Sequence, residues 1–484
     1  MLKRFFTVAL ALALLSPLQA EEVRLFLVHT NDIHGHLEAS DGNVKTGGYV
    51  RVATVIKTLK AAFPGRVVVL DAGDLALGTP TSGHFLGIPT AEAMANVGYD
   101  AVAIGNHEFD WGQEAMAKLL KATGAPTLCA NLVDEKDGSY PYPPFTVVER
   151  GGARIGIIGL VAPDTATRTP RAYTAGWKFL EAEPAMKKAL GDLPEVDAVV
   201  ALTHIGEPAD RALAKATPEL DLIVGGHSHT PITELAHENG VPIVQSGCYC
   251  RFVGVMEVLV DTEADSLKVL EYHLVPIDLS IAPDPEVSAI VQGYADQVRP
   301  LLDKVIGQSS AEVLNSTSDS NLDRPLGNLI ADALRAETGA DVAFYNKGGV
   351  RGTMPAGPLD VRTLQEMFPF DDPIVTMTVS GEQLKAIVEE GVKSQAKMSV
   401  SGLQASIDKA GQARILVGGE PLRGDRKYRL ATTNFLATGG DQMSTLGRLT
   451  IDEFLPFTRL VMQSHIEKNP QVSPPPTGRL RRLP

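Results

Sequence analysis

Short continuous apolar runs alternate along the first half of the chain with stretches whose apolar residues recur every three or four positions. "RLFLVHT" (24–30), "RVVVLDAGD" (66–74) and "YDAVAIGNHEFD" (99–110) read as strands running into polar loops, as do "ARIGIIGLVAPD" (153–164), "VDAVVALTHIGE" (196–207) and "LDLIVGGHSHT" (220–230). "GYVRVATVIKTLKAAF" (48–63) and "TAEAMANVG" (90–98) carry the helical period between them. Strands apolar on both faces and alternating with helices predict an α/β layered fold with buried sheets. In such sheets ligands bind beyond the carboxyl ends of the strands. Asp32, Asp74, Asn106, His204 and His227 each stand at or just past such an end.

The pattern changes near residue 273. "HLVPIDLSIAPDPEVSAIVQGYADQVRPLLDKVIG" (273–307) opens with prolines and closes as a single helix, which predicts a linker or hinge. A second α/β unit follows: "DRPLGNLIADALRAETG" as a helix, "ADVAFYNKGGVR" as a strand and loop, "PIVTMTVSGEQLKAIVEEGVK" as strand then helix, and "KYRLATTNF" as a late strand. "SPPPTGRLRRLP" reads as a loose, Pro-rich tail. The expected divisions are 1–20, 21–275, 276–307 (linker helix), 308–472 and 473–484.

At the start, "MLKR" followed by "FFTVALALALLSPL" and "LQA" has the layout of a secretory signal peptide cut near Ala20. This predicts a periplasmic or secreted protein without a membrane anchor. No later apolar run approaches the roughly 20 residues that span a bilayer. Losing Lys3 and Arg4 with the peptide takes the formal net charge from −14 to −16. That balance argues against a partner made of nucleic-acid polymer, whose phosphates are neutralised by Lys and Arg. It leaves small anionic substrates open, because a local ion or Arg cluster overrules the net field. Three cysteines, Cys129, Cys248 and Cys250, make no disulfide framework, and an odd count leaves at least one thiol outside any internal pair.

Candidate chemistry concentrates in the first half, where nine of the eleven histidines precede residue 240. Each motif has a bland reading of its own. Asp32-x-His34 occurs in ordinary turns, Asp74 after Gly73 suits a helix cap, and a lone His204 after a strand is more often a core residue. "GGHSH" says more, because His227 and His229 at alternate positions can point the same way. Taken together, five segments deliver carboxylate, amide and imidazole groups at predicted strand ends. A mixed N/O set suits Zn²⁺, Mn²⁺ or Fe²⁺ better than Ca²⁺. It is too large for one four-coordinate ion. Two ions sharing a carboxylate account for all of it.

The order Asp-x-His, Gly-Asp, Gly-Asn-His-Glu, Thr-His and Gly-His-x-His resembles the calcineurin-like metallophosphoesterase superfamily. The whole mature chain is similar to its secreted 5′-nucleotidase family, which includes periplasmic UDP-sugar hydrolases and 2′,3′-cyclic-nucleotide phosphodiesterases. The resemblance implies a four-layer β-sandwich flanked by helices, plus a smaller α/β C-terminal substrate-binding domain. It implies two divalent ions (Zn, Mn or Mg). Asp32, His34, Asp74 and His229 would hold one, and Asp74, Asn106, His204 and His227 the other. Some nucleotidases carry an amide where this chain has His229. His107 would face the substrate phosphate or leaving oxygen, with Asp110 fixing its orientation and Glu108 kept to a structural role.

In the second half, the Asn-x-Gly-Gly-Val-Arg string resembles the family element in which Asn346, Gly349 and Arg351 meet the substrate, Arg gripping phosphate. Phe370 and Phe435 match the aromatics that sandwich the base, a contact tolerant of base identity. Asp441 ends the family string "ATGGD", with Met443 where an aromatic is usual. Arg324 lies near a second phosphate-binding Arg of the family, one residue further from the following Gly-Asn than in some members. The implied activity is hydrolysis of a nucleotide phosphate ester. Two other readings stand beside it: a thiosulfate hydrolase on the same scaffold, and a nucleotide-binding protein without catalysis. The preferred ester, the metal and the oligomeric state stay open.

Overall fold

The computed structural model describes residues 22–40, 45–169, 171–316, 321–368, 372–393 and 397–483. The expected signal peptide and Phe370 lie outside the described residues. The chain divides into two compact units. The first takes the chain up to Leu77 and Phe85–Gln292, and the second takes Gly78–His84 and the chain from Gly293 onward.

Two six-stranded sheets build the first unit. One runs in the order Ser266–Pro276, Phe252–Asp261, Glu22–Thr30, Val67–Asp71, Ala101–Ala103, Thr127–Leu128. The other runs Ala236–Glu238, Val241–Val244, Leu222–Gly225, Ala198–His204, Ala153–Val161, Phe145–Arg150. Central strands pair in parallel in both sheets. Antiparallel strands close both edges of the second sheet and one edge of the first, whose other edge, Thr127–Leu128, pairs in parallel.

The continuous apolar strands divide their side chains between cores by simple alternation. Leu25, Leu27, Val68 and Leu70 meet Ile155, Ile157, Val200 and Leu202 in the core between the sheets. Phe26, Val28, Val67 and Val69 turn to the opposite face, under Val52, Ile56 and Leu59 of helix Tyr49–Ala62 and Met94 of helix Ile88–Val97. Ile158, Leu160 and Ala201 pack under Met186 and Leu213 of helices Ala182–Asp192 and Glu207–Ala216. The result is four layers, helix–sheet–sheet–helix, as the resemblance implied. Parallel register sets the strand ends level: Thr30 opposes Asp71, Asp71 opposes Val102, and Val161 opposes His204.

Strand Ser266–Pro276 enters the stretch expected as linker, helix Pro285–Leu302 occupies its middle, and strand Val305–Ser309 follows. The second unit holds a five-stranded sheet in the order Ser399–Ser401, Val342–Tyr345, Lys427–Thr433, Pro373–Ser380, Glu453–Phe457. Smaller sheets of four and three strands accompany it. Phe344, Met377 and Leu430 of the large sheet share a core with Leu384 and Ile387 of helix Gly381–Lys393.

The tail corrects an expectation. Leu480–Arg482 is a strand paired in parallel with Leu403–Ile407, and Leu480 is buried. Both terminal nitrogens of Arg479 reach the Asp332 carboxylate, at 2.6 and 2.7 Å. Bidentate pairing and a buried leucine outweigh the proline content that suggested a loose end.

Candidate metal centre and nucleotide pocket

In the first unit, the loops after the parallel strands bring six sequence-predicted ligands into two adjoining groups, with the seventh, Asn106, beside the second. Asp32, His34 and His229 form one, and Asp74, His204 and His227 the other. His229 Nε2 lies 3.1 Å from Asp32 Oδ1 and 3.1 Å from His34 Nε2. In the second group His204 Nε2 is 3.0 Å from Asp74 Oδ2, and Asn106 Oδ1 is 2.8 Å from His227 Nδ1. Asp74 Oδ2 is also 3.7 Å from His34 Nε2, so one carboxylate oxygen faces both groups.

Three ligands are aimed by contacts on their far side. His34 Nδ1 donates to the Leu77 carbonyl at 2.6 Å and His204 Nδ1 to the Ala72 carbonyl at 2.7 Å, leaving each Nε2 turned inward. Asp32 Oδ2 accepts from Asn31 Nδ2 and from the His227 amide. Its other oxygen, buried Oδ1, meets only another ligand, His229 Nε2, and buried His204 Nε2 likewise meets only Asp74 Oδ2, neither with good hydrogen-bond geometry. Buried polar atoms left this way are costly. A carboxylate oxygen and an imidazole nitrogen, both inward-facing, fit a divalent cation.

The backbone is bent to this end. Asp32, His34, Asp74, His227 and His229 all have positive φ, between 49° and 75°. A non-glycine residue there costs on the order of 1–3 kcal/mol where the surroundings hold it, and such residues cluster at functional sites. Gly105 allows the loops to meet: a Cβ on it would stand 2.2 Å from Asp74 Oδ1.

Burial and charge set the protonation of the metal-free site. Burial drives His34 down to about 3 and so keeps it neutral. Burial opposes charge on His204 and His229 as well. There the carboxylates win, Asp74 raising His204 to about 9 and Asp32 raising His229 to about 10. Asp74 itself, despite its burial, is held well below the usual carboxylate range by His204 and His107.

His107 opens the one-turn helix His107–Trp111. Its Nδ1 donates to Asp110 Oδ2 at 2.6 Å, and its amide donates to Asp74 Oδ1 at 2.9 Å. Burial again opposes the charge, but Asp110 and then Asp74 raise the ring to about 10. Its ring centroid is 5.3 Å from that of His34.

Glu108 is buried, and its carboxylate accepts three backbone amides. Oε2 takes Asp74 N at 3.0 Å and Gly105 N at 2.7 Å, and Oε1 takes Leu75 N at 2.8 Å. No local pattern records this clamp or the Asn31 contact to Asp32. All three cysteines are free and buried, and Cys248 Sγ accepts from Arg251 Nη2 at 3.2 Å.

In the second unit, Asn346 follows strand Val342–Tyr345 and its Nδ2 donates to Asp441 Oδ2 at 2.8 Å. Arg351 donates to the Gly348 carbonyl. A cavity of about 640 Å³ is lined by Arg351, Asp441, Asn315, Lys347, Lys393 and Lys397 among others. Reading the sequence did not single out these lysines. Gly349 sits against Tyr345, whose hydroxyl would be 2.5 Å from an added Cβ. Phe435 is 45% exposed, and Gly440 lets the chain lie against its ring, where a Cβ would come within 2.6 Å. Arg324 is 1% exposed and caps helix Pro325–Thr338. Its guanidinium donates to Asn315 Oδ1 at 3.0 Å and to the Lys397 carbonyl. It thus stands behind two residues of the cavity wall.

Residues 27–231 match the family model for calcineurin-like phosphoesterases, and residues 305–448 match that for the 5′-nucleotidase C-terminal domain. A 5′-nucleotidase of Vibrio cholerae is 28% identical, over 86% of this chain and 85% of its own. The crystal structure of a 5′-nucleotidase precursor from Thermus thermophilus is 28% identical with a TM-score of 0.72, covering 95% of this chain and 99% of that one. The fold is shared with a Thermus thermophilus sulfate thiohydrolase, SoxB, at 19% identity and a TM-score of 0.67, covering 97% of this chain and 98% of that one.

Proposed function

Because the chain belongs to the family that joins a calcineurin-like phosphoesterase domain to a 5′-nucleotidase C-terminal domain, we propose that it is an exported dinuclear-metal hydrolase releasing phosphate from nucleotides. The observation that carries this reading is the single oxygen Asp74 Oδ2 facing both ligand groups, with His107 bonded through its amide to the same carboxylate. Two divalent cations held by these groups would polarise phosphoryl oxygens and lower the pKa of a coordinated water.

The chain's own residues supply the rest. Asp110 holds the Nδ1 proton of His107, so the ring presents Nε2 in a fixed orientation. Against the opposing effect of burial, the Asp110 carboxylate beside the ring favours its protonated form, so Nε2 can carry a proton. It then donates to a phosphoryl oxygen or leaving oxygen as charge builds there. Arg351 carries the planar fork suited to phosphate. Phe435 offers an exposed face for a base, and Asn346 steadies Asp441 beside it. Export rests on the N-terminal reading; no described helix is long and apolar enough to cross a membrane.

The test is phosphate release from 5′-AMP after chelation and again after adding Mn²⁺, Zn²⁺ or Mg²⁺. Release restored by metal is expected. Hydrolysis of thiosulfate to sulfate and sulfide, with no phosphate released from AMP, would favour the sulfur reading, and AMP binding with no release under any metal would leave a binding protein.

A further inference from the structure

One loop, residues 226–230, serves both ligand groups: His227 belongs with Asp74 and His204, and His229 with Asp32 and His34. Both histidines stand at positive φ, 75° and 56°. Strain of that kind persists only where the surroundings over-determine the backbone. The segment that holds this loop, residues 245–249, supplies no ligand of its own. It leaves strand Val241–Val244, the parallel neighbour of strand Leu222–Gly225, which feeds the loop. Gln245 is buried. Its Nε2 donates to the Gly226 carbonyl at 3.0 Å, immediately before His227. Its Oε1 accepts from the Thr230 amide at 2.6 Å, immediately after His229, and from Ser228 Oγ at 3.1 Å between the two. The Gln245 carbonyl takes the Ile232 amide at 3.0 Å as the chain leaves. Beyond it, Ser246 donates through its amide and its hydroxyl to Asn31 Oδ1, and Asn31 donates to Asp32 Oδ2. The Tyr249 amide donates to the Asp32 carbonyl at 2.8 Å.

We propose that Gln245 is the positioning residue that sets the two ion sites in register with each other, acting through the loop of His227 and His229. The proposal rests on the dinuclear reading above. Both polar atoms of the Gln245 side chain are spent on that loop. One end donates and the other accepts, which suits an amide and not a carboxylate. The contacts at Gly226 and Thr230 bracket the two histidines, so a planar group of fixed length sets the width of the loop as well as its place. Space at the start of the loop is equally restricted. A Cβ on Gly225 would meet Asp210 Oδ2 at 2.3 Å and Gln245 Nε2 at 3.4 Å, and one on Gly226 would meet His204 Nδ1 at 2.9 Å. The supports behind His34 and His204 each hold a single ring, through the Leu77 and Ala72 carbonyls. Gln245 differs from them in holding one ligand of each group. Loss of a partner behind a metal ligand costs about 10- to 100-fold in affinity, and here that cost falls on both ions.

The test is uptake of Mn²⁺ by the metal-free full chain, with free Mn²⁺ read by electron paramagnetic resonance at a temperature where every variant is folded. Gln245→Met keeps the length of the side chain and removes its hydrogen bonds. The parent should take up two equivalents, and in Gln245→Met both dissociation constants should rise by about 10- to 100-fold. Ile243→Val, in the strand that leads to Gln245, is the control: it should lower Tm and leave both constants unchanged, which separates positioning from stability of the fold. Ser228→Ala, at an exposed position, removes one contact to Oε1 and should raise both constants by about two- to fivefold. It decides the question if Gln245→Met does not fold. Unchanged constants in the deciding variant, or a rise confined to one equivalent, would overturn the proposal and leave the dinuclear reading intact. A parent that binds fewer than two equivalents would instead remove that reading, and the proposal with it.

Discussion

In the first unit Asp32, His34, Asp74 and His204 are held by partners on their far side, whereas the lysines lining the second unit's cavity make no side-chain hydrogen bond or ion pair with a described residue. Asp32, His34, Asp74 and His204 are buried, and each has a backbone or side-chain partner on the side away from the centre. Five ligands stand at positive φ. Phe435, Lys393 and Lys397 are exposed. A centre of the first kind is preorganised, its geometry set during folding, so the cost of disturbing it is large and spreads to neighbouring ligands. A pocket of the second kind sets which ligand is chosen, and its substitutions should act one contact at a time.

The hardest test of that contrast is Asp74→Ala. It removes the one oxygen facing both groups, so both ions should be lost together. Metal content should fall from two per chain toward none, and phosphate release should drop by at least about 10³-fold. Elemental analysis settles it, since retention of one full equivalent would mean the groups are independent and Asp74 does not couple them.

Glu108→Gln is the next step down. Both carboxylate oxygens accept from backbone amides, so either orientation of the amide sets an NH₂ against an N–H. The loops carrying Asp74 and His107 should then drift apart. A loss of about 10- to 100-fold in kcat is expected, with on the order of 1–3 kcal/mol of stability lost. A fall in Tm with unchanged kcat under saturating metal would reduce Glu108 to a fold-stabilising role.

Acidity offers a gentler probe of the same centre. In the metal-free protein His204 and His229 are raised to about 9 and 10, so each must shed a proton to bind a cation through its ring nitrogen. Apparent metal affinity should rise with pH from about 6.5 toward 9, by up to about tenfold per unit for each proton released. The sign for stability is opposite. A folded pKa above the unfolded value stabilises the metal-free protein below about 6.5, and that contribution is lost as pH rises through 9 to 10. Metal titrations at two pH values, in buffers of different ionisation enthalpy, report the proton count directly. An affinity that does not change with pH would show that these rings are already neutral.

The same contrast governs what the sequence reveals. Parallel strands buried on both faces are continuous apolar runs, and the ligands stand in chain order at their ends. Asp32, Asp74, Asn106, His204 and His227 could therefore be picked out by residue type and place. The clamps behind them could not. Glu108 meets the Asp74 amide 34 residues away, and no local period records a carboxylate that closes on another loop. Lys393 and Lys397 reach Lys347 only because the second unit folds them around one cavity. Leu480–Arg482 is a strand by virtue of its pairing with Leu403–Ile407. Three residues after a proline run carry no signal of their own.

Phe435→Ala marks the small end of the comparison. The ring is 45% exposed and packed on Gly440, so its removal opens no cavity and should leave Tm nearly unchanged. Loss of one stacked face is worth about 1–3 kcal/mol per base. That predicts a KM for AMP raised about tenfold with kcat within a few-fold, since the metal centre lies in the other unit and keeps its own supports. A phosphate ester without a base, such as ribose 5-phosphate, should show no difference between the variant and the parent. If its KM rose equally, Phe435 would be shaping the loop that carries Asp441 rather than meeting the base. The selectivity of this unit would then lie in its charged residues.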